Sequence, residues 1–134
     1  MKKVFLGGTC NDSTWRDIFI KMLDPNRIDY FNPVVEDWTE ECMKEEIRQR
    51  EKICDYCLYV ITPLMTGVYS IAEVVDDSNK RPNKTLFCIL ENDDGKIFTK
   101  SQLKSLNQVA DMITKNGGKS FNSLESVARF LNTR

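Results

Sequence analysis

The chain contains no histidine. That absence excludes Ser-His-Asp and Cys-His catalysis and removes the commonest general acid–base side chain. Any chemistry must run on carboxylates, thiols, lysines or hydroxyls. It also weakens a zinc reading of the C-x-x-C at Cys54-Asp55-Tyr56-Cys57, which would need two further ligands nearby. Excess charge is missing too. The 19 basic and 20 acidic side chains leave a net charge of -1, which offers no electrostatic footprint for nucleic acid or an anionic membrane. No apolar run approaches the roughly 20 residues that a membrane helix needs. The start, MKKVFLGGTC, resembles a lipoprotein signal only superficially, because its apolar part is residues 4–6, against about 7–15 residues for an h-region. The expectations are a cytoplasmic protein with no metal and no cofactor. Five cysteines, an odd number at irregular spacing, fit reduced intracellular thiols. The C-x-x-C sits at a helix end running into a strand, whereas a thioredoxin-type motif opens a helix after a strand, so ordinary packing is expected of it.

What is present suits one domain spanning residues 1–134, with an ordinary 41% hydrophobic content. Residues 3–6 are apolar and β-prone, and Gly7-Gly8-Thr9 stops them. Asn11, Asp12 and Ser13 are all good N-cap types. Trp15, Ile18, Phe19, Met22 and Leu23 then follow helical spacing over residues 14–23. Residues 28–31 make a second strand. Thr39 caps a charged helix over 40–53 whose thin stripe, Cys42, Met43, Ile47 and Ile53, is expected to cover a sheet. Residues 58–61 and 85–90 are continuous apolar runs, as in parallel strands buried on both faces. Helices are expected over 69–78, over 100–115 with Gly117-Gly118 as the cap, and from Ser123 onward. Residues 91–96 form a polar turn, and 119–121 a short edge strand. The β-α alternation predicts an α/β fold: a doubly wound parallel sheet of four to five strands flanked by helices.

In such sheets ligands bind outside the carboxyl ends of the strands. Three loops should meet there, residues 7–11, 32–38 and 63–69. The first is glycine-rich but is neither G-x-G-x-x-G nor a P-loop. Gly7 and Gly8 would still let a ligand approach the backbone, and amides of the next helix N-terminus favour an anionic group. Past the third loop a helix carries a lone glutamate, Glu73, between Ala72 and Val74. A helix acid is usually solvated, and Glu46 lies in a helix crowded with acids, so a solvated face competes with any catalytic role. Trp15 suits a core or interface as well as a base-stacking role. Arg16 is a partner for Asp37 or for a phosphate. Asp76-Asp77 lies near a helix end, where acids are unfavourable, and the sequence offers no account of it.

Together VFLGGTC with Trp15-Arg16, FNPVVEDW and CDYCLYVITPLMTGVYSIAEVVDDS resemble the nucleoside 2-deoxyribosyltransferase-like family, over roughly residues 3–90. The resemblance implies a flavodoxin-like fold. It also implies a glutamate nucleophile at the place of Glu73, forming a glycosyl ester that a second base or water resolves, in parallel with retaining glycosidases. Glu46, with Glu51 as the alternative, falls where a second acid would protonate the departing base, and Asp55 matches a structural acid at a helix-to-strand junction. Thr66, Tyr69 and Ser70 would hold sugar or phosphate oxygens, and Trp38 or Trp15 would stack on the base. The expected substrate-binding set is Gly7, Gly8, Thr9, Arg16, Asn32, Asp37, Trp38, Thr66, Gly67, Tyr69 and Ser70. Gly67 departs from the pattern. Transferases of the family carry an aspartate there, while the related 2'-deoxynucleoside 5'-monophosphate N-hydrolases lack it. That shifts the expectation from transfer toward hydrolysis, with a non-catalytic nucleotide-binding module as the alternative. The partner implied is a small nucleoside or nucleotide. Relatives often complete the site with a neighbour, so a homo-oligomer is also expected.

Overall fold

The computed structural model describes residues 1–10 and 12–134. The candidate N-cap Asn11 lies outside them. The principal sheet contains β1 (Lys2–Gly8), β2 (Ile28–Phe31), β3 (Tyr56–Ile61) and β4 (Thr85–Ile89). A two-stranded hairpin, β5 (Asn92–Asp93) and β6 (Lys96–Ile97), follows, and β7 (Lys119–Phe121) completes the principal sheet. That sheet has the order β2-β1-β3-β4-β7, and every pairing in it is parallel. This is the doubly wound α/β arrangement the alternation predicts, in the flavodoxin-like form the resemblance implies. Its order reverses between β1 and β3, which places a crevice at their carboxyl ends.

The apolar runs are continuous because both sheet faces are covered. Successive strand side chains point to opposite faces. Val4, Leu6, Leu58, Val60, Leu86 and Cys88 pack with Trp15 and Phe19 of α1 (Trp15–Ile20) and with Leu124, Val127 and Leu131 of α5 (Leu124–Asn132). Phe5, Tyr59, Ile61, Phe87 and Ile89 pack with Val74 of α3 (Tyr69–Lys80) and with Leu106 and Ile113 of α4 (Lys100–Lys115).

Four departures from the sequence reading have physical causes. First, β1 runs through both glycines, where Gly7 and Gly8 pair with Tyr59 and Val60. Gly8 has φ +109, and a Cβ there would lie 2.1 Å from the Val60 carbonyl oxygen. Only glycine lets the strands stay this close. Second, α1 is shorter than expected. Met22 and Leu23 donate to carbonyls three residues back, which tightens the chain out of α geometry, and Ile18 is exposed rather than on the packed face. Ser13 accepts from the Trp15 amide while donating to Asp93 at 2.6 Å, and Thr14 makes no side-chain cap bond.

Third, the charged helix is two pieces, α2 (Glu40–Arg48) and a π-helical turn, Gln49–Ile53. No residue of α2 is buried, so its thin apolar stripe does not cover the sheet as expected. Burial starts at Gln49. Thr39 caps α2 through the Cys42 amide, as the sequence indicates. Fourth, the polar turn at 91–96 is a hairpin. Asp94 (φ 52) and Gly95 (φ 80) are both left-handed, the requirement of a type I′ turn.

Cys54 and Cys57 of the C-x-x-C are buried, in keeping with the ordinary packing expected of them. All five cysteines are free. Burial pushes the Cys54 thiol up to about 11 and the Cys57 thiol up to about 12, which leaves both unreactive near neutral pH. No helix among the described residues is long and apolar enough to cross a membrane.

Candidate active site

The turn after β3 positions the candidate nucleophile. The Thr62 hydroxyl accepts from the Leu64 amide and its carbonyl from the Met65 amide, which folds the chain back into α3. The Thr62 amide donates to the Thr9 hydroxyl at 2.9 Å, and the Thr9 amide donates to the Val60 carbonyl at 2.8 Å. The first and third loops are therefore fastened side by side at the carboxyl ends of β1 and β3. A cleft of about 250 Å³ opens between them, lined by Gly8, Thr9, Cys10, Met65, Thr66, Gly67, Tyr69, Ser70 and Glu73. Seven of these were expected from sequence. Cys10 and Met65 were not, because nothing in their spacing marks them.

Glu73 sits one turn into α3 with its side chain 24% exposed. Burial pushes its carboxyl above the ordinary range. Arg50 pulls it back, while the charges of Asp77 and Glu46 add to the rise. The Arg50 Nε lies 3.9 Å from Glu73 Oε2. That is an ion pair beyond hydrogen-bond length.

Below Glu73 lies a network that the sequence did not reveal. Asp77 is buried, its side chain 1% exposed. It accepts the Tyr59 hydroxyl at 2.5 Å and Arg50 Nη1 at 3.3 Å, and it pairs with Arg81. Burial, with Asp77 beside it, raises the Tyr59 pKa, so the phenol stays protonated and donating. These contacts resolve the oddity of two acids near a helix end. Asp77 is a buried acceptor, and Asp76 pairs on the surface with Lys80.

The other expected residues are placed differently. Glu46 is half-buried and accepts the Trp38 indole N–H at 3.0 Å. With Asn32, it lines a neighbouring apolar groove of about 310 Å³ between β2 and α2. Trp38 is 58% exposed, and Asp37 is exposed beside it. Asn32 accepts the Val34 amide and so shapes its own loop. Gly7 packs against the Tyr59 and Phe5 rings rather than opening onto the cleft. Gly67 faces open space. Arg16 is buried and does not line the cleft. Its guanidinium donates to the carbonyls of Leu6, Thr9 and Gly8, and no ion pair with Asp37 forms. Trp15 is 2% exposed and bonds the Thr9 carbonyl, so it is core and stacks on Arg16 rather than on a base. Glu51 is exposed. Asp55 bridges the start of β3 to the Lys3 amide, at the strand ends away from the cleft.

Residues 1–92 match the sequence model of a family described as nucleoside 2-deoxyribosyltransferase like. Comparison with curated proteins and with solved structures gives no match.

Proposed function

The chain belongs to the nucleoside 2-deoxyribosyltransferase-like family, and on that premise we propose that it cleaves the N-glycosidic bond of a deoxynucleoside or deoxynucleotide through Glu73. The observation that carries this reading is the position of Glu73. A partly desolvated carboxylate faces a cleft at the switch point of the sheet, with a cation at 3.9 Å. Its oxygen attacks the anomeric carbon. The C–N bond breaks, its electron pair leaves with the base, and a glycosyl ester forms on Glu73. Water or a second base then attacks the same carbon and frees the carboxylate. Glu46, oriented by Trp38, is the proposed proton donor to the departing base. Thr66, Tyr69 and Ser70, on the same wall as Glu73, are proposed to hold the sugar or its phosphate.

Gly67 supports hydrolysis over transfer, since no carboxylate stands at the turn where the family's transferases bind sugar hydroxyls. The rival reading keeps the cleft and removes the reaction: a module that holds a nucleotide without cleaving it. Deoxynucleosides and their monophosphates, incubated with the protein and analysed for free base, separate the two. We expect base release that Glu73→Ala abolishes, by a factor of at least about 10³. Equal background from both proteins, with nucleotide still bound, would leave only the module. A second base added to the mixture distinguishes transfer from hydrolysis.

A further inference from the structure

The following rests on Glu73 being the reacting carboxylate. We propose that Arg50 is a positioning residue for Glu73, held at a fixed standoff by the buried acceptor Asp77.

Glu73 and Asp77 are four residues apart on α3 and share one helix face, where like charges repel. Arg50 spans the two. Its Nη1 reaches Asp77 at 3.3 Å, while its Nε remains 3.9 Å from Glu73. The anchored end is the deeper one, because Asp77 is also tied by Tyr59 and Arg81. Arg50 itself comes from the π turn, Gln49–Ile53. Such wide turns are rare and concentrate at functional sites. Stability alone does not call for this arrangement, since an apolar cluster of similar volume commonly does as well as a buried ion pair.

The standoff has a chemical consequence. A cation near 4 Å favours the ionised carboxylate. A cation at hydrogen-bond distance would also occupy the lone pair that must attack carbon. Asp77 thus keeps Arg50 close enough to offset part of the rise that burial imposes on the Glu73 carboxyl and too far away to occupy its oxygen. The titratable groups around Glu73 are Arg50, Asp77 and Glu46, with Cys10 and Tyr69 on the cleft wall.

The two halves of the device predict opposite shifts. Arg50→Met removes the cation, so the Glu73 carboxyl titrates higher, by about one pH unit. Asp77→Asn removes a negative neighbour and frees Arg50 to close on Glu73, so the carboxyl titrates lower. Arg50→Lys keeps the charge and stays near wild type. The readout is carbon-13 NMR titration of the Glu73 carboxyl, assigned by its loss in Glu73→Gln, alongside the acid limb of the base-release rate. Shifts in the expected directions without base release would sustain the positioning and end the glycosidic reading. Glu73-dependent base release in which neither substitution moves the titration would do the reverse. Should Asp77→Asn not fold, Arg50→Met decides alone, and an unmoved carboxyl overturns the proposal.

Discussion

Gly8→Ala tests whether the first loop is held by backbone contact with β3. Gly8 has φ +109, and a Cβ built on it would stand 2.1 Å from the Val60 carbonyl oxygen and 2.6 Å from the Val60 nitrogen. Both atoms are backbone at the centre of the sheet, so no side chain can swing aside. The left-handed conformation alone costs a non-glycine residue about 1–2 kcal/mol. Separating β1 from β3 to admit the methyl group costs about 1–3 kcal/mol more. The sum is about 2–5 kcal/mol, a large share of the roughly 5–15 kcal/mol that holds a domain folded. Thr9 would move with it, since its amide bonds Val60 and its hydroxyl accepts from Thr62, and the cleft would open. Gly67→Ala is the control. It lies on the same cleft, but its added Cβ meets nothing within 4 Å, and its stability should stay within about 0.5 kcal/mol of wild type. Urea denaturation followed by circular dichroism measures both. A Gly8→Ala protein as stable as wild type, or a Gly67→Ala protein equally damaged, would refute the account of the first loop.

Two further outcomes follow from burial. The folded Glu73 carboxyl titrates above its unfolded value, so its protonation favours the fold. The resulting stability is present at low pH and lost as pH rises through the folded pKa. Glu73→Gln should therefore be more stable than wild type at pH 7, with the difference shrinking toward pH 4 in paired denaturation curves. Alkylation of the native protein at pH 8, mapped by mass spectrometry, should label exposed Cys10 and spare buried Cys54, Cys57 and Cys88.

The sheet was legible because its strands are buried on both faces. Residues such as Leu58 and Val60 point one way while Tyr59 and Ile61 point the other, so the run has no polar alternation and reads as a parallel strand. The place of Glu73 was legible for the same reason, since strand, turn and helix follow in order. Other features depend on facts that pattern does not carry. Asp77 looked misplaced because its partners, Tyr59 and Arg50, are 18 and 27 residues away in sequence. Arg16 and Trp15 looked available for a ligand because nothing local shows that the Thr9 carbonyl takes both. The β5–β6 hairpin did carry a signal, the Asp94-Gly95 pair, but its strands are two residues long and show no periodicity. The π turn has no sequence signature, and it broke a helix that charge and spacing both favoured.

A doubly wound sheet supplies a crevice whatever chemistry takes place in it, so the fold alone does not single out Glu73. What distinguishes this carboxylate lies one helical turn below it. A surface glutamate would meet water and exposed lysines, whose pull is weak and screened. Glu73 instead meets an arginine tethered to a buried acid, which a phenol and a second arginine also bind. The cost falls on the fold, because Asp77 is an acidic side chain, nearly fully enclosed, that opposes Glu73 across one turn. The gain falls on the cleft, where the cation offsets part of the effect of burial on Glu73 while leaving its oxygens unbonded. That arrangement is what the proposed attack of Glu73 on carbon requires.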